Sequence, residues 1–183
     1  GQTVTVNDGT SSSLANNGTI RIGVNSGTDF GVLAISTGAA DLGNAGAEDI
    51  VTLDFSGLTD YYDPADVDGD SDGTADGELV GIITGGSGIV FADATINTNS
   101  AVLSVANGSE TATTATSLNV DVTRNAYNTL ATTANTQALG SNLETIGANG
   151  NGSTGLKAIL GQLDGSSTAA VLENSLQNLL PLV

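Results

Sequence analysis

The sequence predicts a mainly β fold: a parallel β-helix-like (or sandwich-like) body followed by a short α-helical C-terminal segment. Two observations carry the β part. Gly makes up 25 of the 183 residues and lies scattered among Thr, Asn and Ser, which suits many short strands joined by tight turns. Between these turn signals, β-branched and aliphatic residues alternate with polar ones, the period of a half-buried strand. The helical part rests on a change of period after Arg124, where apolar residues begin to recur at three- and four-residue steps.

In chain order, Thr3-Val4-Thr5-Val6 alternates and stops at Asn7-Asp8-Gly9, a strong turn signal. Thr19 to Val24 alternates again after Asn16-Asn17-Gly18. Further strands are predicted at Gly31 to Ser36, Ile50 to Phe55, Glu78 to Thr84, Ile89 to Ala92, Ala101 to Val105 and Leu118 to Val122. Their spacing is irregular, and both β architectures remain open. Tyr127, Leu130, Ala134, Leu139, Leu143 and Ile146 then form a first helical stripe, broken by Gly147 to Ser153. A second stripe runs through Leu156, Ile159, Leu160 and Leu163 to Asp164-Gly165. A third runs through Leu172, Leu176 and Leu179, with Ser167 or Thr168 as cap and Pro181 as stop. The organisation expected is a β-rich body over residues 1–123, with an acidic loop at 60–78, and a helical tail of about three short helices over 124–183.

Charge narrows the partners. Three basic residues face twenty acidic ones, a formal net charge of -17. A surface so negative repels phosphate backbones and anionic lipid, so no nucleic acid partner is expected. No apolar run is long enough for a membrane-spanning helix. Opening at Gly1 without a leader sequence, the chain reads as the product of a longer precursor.

The strongest chemical signal is the segment DYYDPADVDGDSDGTADGE, Asp60 to Glu78. Within it Asp68, Asp70 and Asp72 alternate ahead of Gly73, a pattern that lets a turn wrap a hard cation. Asp76 continues the series, and Glu78 falls one place short of the position that would complete an EF-hand. The metal ligands expected are therefore Asp68, Asp70, Asp72, Asp76 and Glu78, on a calcium loop carried by a β scaffold. Every candidate ligand is oxygen, which favours calcium over zinc.

No enzyme is expected. His and Cys are absent, which removes the nucleophilic triads. Lys157 is the sole lysine and sits among Gly and Ser, where a solvated ammonium is the ordinary state. Asp54, Asp60, Asp63 and Asp93 supply carboxylates, but nothing in the sequence pairs them for glycoside hydrolysis. Tyr61-Tyr62 beside the acidic loop is the best hint of a carbohydrate contact.

The stretch Glu78 to Arg124 and the helical segment after it resemble the C-terminal end of a classical autotransporter passenger. The residues that carry the resemblance are the strand Leu79-Val80-Gly81-Ile82-Ile83, the Gly-rich turn after it, and the alternating strand leading to Arg124. Beyond these come Asn135 and Gln137 in ANTQAL, then LGQLD at Leu160 to Asp164, and Leu179-Leu180-Pro181. The resemblance implies an extracellular, cell-surface location, a non-catalytic structural or adhesive role, and an outer-membrane β-barrel of the same precursor as partner. It also implies a folding nucleus in residues 78–123. Self-association or a surface carbohydrate completes the expected partners. The rival expectation is a self-assembling surface-layer or filament subunit with calcium-bridged contacts, in which Thr3 to Val6 adds to a neighbour's sheet edge.

Overall fold

The computed structural model describes residues 2–6, 13–15, 19–37, 39–41, 43–44, 47–48, 50–67, 77–86, 89–90, 95–107 and 116–180. The chain makes three successive passes of short strands. The first comprises β1 (Thr3–Val6), β2 (Ser13–Ala15) and β3 (Thr19–Gly23). The second comprises β4 (Val32–Ile35), β5 (Ala39–Asp41), the small antiparallel pair β6 (Gly43–Asn44) and β7 (Ala47–Glu48), and β8 (Ile50–Asp54). The third comprises β9 (Leu79–Gly85), β10 (Ile89–Val90) and β11 (Thr95–Thr98).

Corresponding strands of the three passes pair in parallel. β1, β4 and β9 run side by side, as do β2, β5 and β10, and β3, β8 and β11. In β8 the alternation read from the sequence is the alternation of burial, with Val51 and Leu53 wholly inside.

The first sheet then changes sense. β13 (Ser117–Arg124) pairs antiparallel with β9, and β12 (Leu103–Asn107) pairs antiparallel with β13. Leu118, Val120 and Val122 fill the core from alternate positions of β13. The register shifts between Leu118 and Val120, and the side chain of Asn119 is buried at the irregularity. Its Oδ1 accepts a hydrogen bond from the Gly81 backbone N–H at 3.0 Å, and Gly81 has a φ of 71°, which a side-chain-bearing residue rarely adopts.

Four helices follow: α1 (Tyr127–Leu130), α2 (Ala134–Ala148), α3 (Thr154–Asp164) and α4 (Ala169–Leu179). The stripe read as continuous from Tyr127 to Ile146 is divided between α1 and α2. Thr133 opens α2 with a reciprocal capping box to Thr136, and its extended backbone ends the preceding turn. Ser153 caps α3 and Thr168 caps α4, each accepting from the backbone three residues on.

The mainly β, parallel β-helix-like or sandwich-like expectation is corrected by this arrangement. The fold is mixed α/β, and the described residues form no closed β-helix or sandwich. The first sheet is itself mixed, parallel at one side and antiparallel at the other. The helices also share the interior with the strands. Leu143, Leu160, Leu163, Leu172 and Leu176 belong to the same buried cluster as Leu53, Phe55 and Leu79. Short helices are marginal alone, and these bury their leucines on the strands and on each other.

A close approach lies where α3 crosses the backbone of Leu58 to Asp60. A Cβ on Gly161 would come within 2.7 Å of the Leu58 carbonyl oxygen and 2.8 Å of the Asp60 nitrogen, atoms that cannot rotate away. Gly155, at the start of the same helix, has nothing within 4 Å of its notional Cβ. Gly161→Ala is therefore expected to destabilise the chain by about 1–3 kcal/mol in urea unfolding. Gly155→Ala should stabilise it by about 0.5 kcal/mol. Equal effects at the two positions would contradict this packing.

Candidate functional site

The described residue with the densest polar surroundings is Arg124, the last residue of β13. Its side chain is 8% exposed. Nε and Nη2 donate to the two carboxylate oxygens of Glu144 at 3.2 and 3.1 Å, a fork-to-fork pairing from α2. Nη1 donates to Asp164 Oδ1 at 2.7 Å, from the end of α3, and to the Tyr62 carbonyl at 3.3 Å. The guanidinium also lies 3.9 Å from the ring centroid of Tyr61 and 4.6 Å from that of Tyr127.

Two carboxylates around one guanidinium leave a negative charge to be stabilised, and neighbouring donors supply the rest. The Tyr127 backbone N–H and the Tyr61 hydroxyl donate to Glu144 at 2.7 and 2.6 Å. The Tyr62 backbone N–H donates to Asp164 Oδ2 at 2.7 Å, and the Tyr127 hydroxyl donates to Oδ1. Burial, the largest influence on Asp164, raises its carboxyl to about 6 against the pull of Arg124 and of the bonds from Tyr127 and Tyr62. Burial works against the charge on Arg124 as well, but Asp164 and Glu144 outweigh it and hold the guanidinium protonated. Burial also raises the Tyr61, Tyr62 and Tyr127 hydroxyls well above the ordinary range.

Further bonds tie the same elements. Ser100 Oγ donates to the Asp164 carbonyl, and the Ala101 N–H donates to the Ser166 carbonyl at 2.8 Å. In α4, Glu173 accepts from the Thr132 N–H at 2.8 Å and from Thr136 Oγ1 at 3.0 Å, joining the last helix to the link between α1 and α2. The Thr132 bond leads in holding the Glu173 carboxyl below its usual range.

Of the residues proposed as calcium ligands, Asp68, Asp70, Asp72 and Asp76 lie outside the described residues. Glu78 is described and is 1% exposed, at the entrance to β9. No group of three or more potential metal ligands occurs among the described residues. Backbone hydrogen bonds close the neck of the acidic loop. Gly77 N–H donates to the Val67 carbonyl at 3.0 Å, closing residues 68–76 at their base. Val122 N–H and the Tyr62 hydroxyl both donate to the Gly77 carbonyl. A Cβ at Gly77 would meet the Val122 oxygen at 2.4 Å, and its φ is 82°, so the neck requires glycine.

The other polar candidates are occupied by structural bonds. Lys157 Nζ pairs with Asp60 at 2.7 Å. Asp63 caps the Pro64–Asp66 turn by accepting from the Ala65 N–H. Asp54 accepts from the Ser56 N–H, Asn99 and Arg21. Burial acts most strongly on Asp54 and would raise its carboxyl, but the Ser56 bonds and Arg21 together bring it down to about 2. Asp93 lies outside the described residues. Tyr61 and Tyr62 do not form an open sugar-stacking platform: Tyr62 is 3% exposed, and the Tyr61 ring is covered by Arg124 and packs against Gly147. A surface cavity of about 210 Å³ beside them is lined by Asn25, Thr28, Asp60, Tyr61, Asp63 and Asp66.

The sequence reading noted Arg124 only as the end of a strand and passed over Glu144. The signal that could have found them is scarcity. The chain has three basic residues, and all three form ion pairs that join segments distant in sequence.

These carboxyls set a pH profile. An ordinary Asp titrates near 3.8 and Asp164 at about 6, so the folded chain holds this proton more tightly. That contribution to stability is complete below about 3.8 and is lost as pH rises through about 6. Asp54 acts in the opposite sense: its contribution is present above 3.8 and lost as pH falls through about 2. The melting temperature should therefore rise on acidification from neutrality, peak near the ordinary Asp value of 3.8, and fall towards about 2. Asp164→Asn should flatten the limb above the peak, whereas a steady fall from neutrality downwards would contradict the assignment.

No family model matches this chain, and no curated protein or solved structure matches it either.

Proposed function

We propose that this chain is a non-catalytic structural segment of a secreted, cell-surface protein of the autotransporter passenger type, with a calcium-stabilised acidic loop. The observation that carries the reading is the junction at Arg124. The last strand passes into the helices through a buried ion-pair network, so strand stack and helical tail hold a fixed relation. That is the property wanted of a load-bearing stalk ahead of a membrane anchor. The engagement of Asp54, Asp60, Asp63 and Lys157 in structural bonds supports a non-catalytic role, since each is a group that acid–base chemistry would need free.

The function is tested by placing the chain ahead of an outer-membrane β-barrel in a Gram-negative host. The intact chain should reach the outer surface and withstand added protease, and deletion of residues 78–123 should abolish both. An intact chain retained inside, or a deletion that behaves like it, would refute the reading.

The closed neck at Val67 and Gly77 supports the calcium loop, because tethered ends reduce the entropy lost when the carboxylates gather round an ion. Without an ion these carboxylates repel one another. Millimolar calcium should raise the melting temperature by several degrees, as ligand binding to the folded state requires. Joint replacement of Asp68, Asp70, Asp72 and Asp76 by Asn should remove the shift. No shift in the unmodified chain would eliminate the site.

A further inference from the structure

Among the described residues, the strand from the first pass is an edge in each of the three larger sheets. β1 ends the five-stranded sheet, and β2 and β3 end the two three-stranded ones. The pairing pattern shows which backbone groups of β1 face outwards. Val32 N–H donates to the Gln2 carbonyl at 3.0 Å, within a register that aligns Thr3 with Val32. In a parallel pair alternate residues point both their groups at the neighbour, so Gln2 and Val4 bond towards β4. Thr3 and Thr5 therefore present N–H and C=O to the open side.

The same end of the molecule holds a cavity of about 270 Å³ between Gln2, β3 and β4. Its lining includes the side chains of Ile20, Val32 and Leu33, all partly exposed, with Ile22 buried behind them. An open ladder edge beside half-buried aliphatic side chains is a template for strand addition.

Electrostatics selects the occupant. From Gly1 to Thr28 the only charged side chains are Asp8 and Arg21, and these cancel. Residues 29–78, by contrast, hold thirteen of the twenty acidic residues and no basic one. Two copies of a chain with net charge -17 repel over most of their surfaces. Their first-pass ends are where they can approach against the least like charge.

We propose that the first-pass edge is a self-association surface, on which a second copy of this chain docks end to end about a two-fold axis. A two-fold relation makes β1 antiparallel to its counterpart. With the axis at Val4, Thr3 of one copy faces Thr5 of the other, and the outward N–H and C=O groups of both residues exchange bonds reciprocally. The contact is isologous and closes on itself, so it yields a dimer and not a filament. This inference is independent of the passenger reading, since it rests on the first pass alone.

Sedimentation equilibrium of the full chain from micromolar to millimolar protein tests it. The expected result is a monomer–dimer equilibrium that tightens about tenfold or more from low salt to about 0.5 M salt, as screening relieves the repulsion. Thr5→Pro removes one outward N–H without touching a bond to β4, and Thr3→Glu sets a carboxylate opposite Thr5 of the other copy and so brings two further negative charges into the contact. Each should weaken the dimer about tenfold or more with melting unchanged. If the proline variant fails to fold, the exposed Thr3→Glu decides the matter alone. Val171→Glu, on the exposed side of α4, should leave the dimer intact. A monomer throughout, a dimer indifferent to Thr3→Glu, or growth into open oligomers would each overturn the proposal.

Discussion

A guanidinium can be taken out of water only where carboxylates, carbonyls and aromatic faces replace its hydration on every side, and Arg124 is placed under that constraint. Its replacements come from four separate parts of the chain: the Tyr61–Tyr62 segment, the start of α1, the middle of α2 and the end of α3. None of these contacts is local in sequence except that to Tyr127. For the charge to be buried at all, α2, α3, the Tyr61–Tyr62 segment and the end of β13 must be in place together. The desolvation of three charged groups offsets much of what their attraction returns.

Much of the remaining structure serves that arrangement. Gly161 lets α3 press against the backbone of Leu58 to Asp60, which brings Asp164 to the Tyr62 N–H. Tyr62 reaches from the same segment to the Gly77 carbonyl, so the neck of the acidic loop is referred to the same junction. Glu173 extends the bonding to α4 through Thr132 and Thr136. The acidic loop and the helical tail, far apart in sequence, are thereby parts of one assembly.

What the sequence made legible was local. The alternation in Ile50 to Phe55 and in Leu118 to Val122 located strands, because one face of each is buried and a period of two records it. Thr168 and Gly165 marked helix ends, because capping is settled within a few residues. That the helical leucines share one interior with the strands was not legible, because no periodicity says what a stripe packs against. Leu160 and Leu172 look the same in sequence whether they meet another helix or a β sheet. The junction was illegible for the same reason: Glu144 and Asp164 are unremarkable acids until Arg124 lies between them. The calcium ligands Asp68, Asp70, Asp72 and Asp76 remain a sequence proposal, with only the neck of their loop placed by described residues.

The chain reports on its own junction. It has no Trp and three tyrosines, and all three, Tyr61, Tyr62 and Tyr127, lie at or beside the Arg124 network. Intrinsic fluorescence therefore follows this region alone, whereas far-ultraviolet circular dichroism follows the helices and strands together. Urea unfolding monitored by both probes is the most direct test that the network binds strands and helices into one cooperative unit. The two curves should superimpose, with one midpoint and one slope. Loss of the tyrosine signal at lower urea, with the dichroism still intact, would mean that strands and helices stand without the junction and would contradict the account.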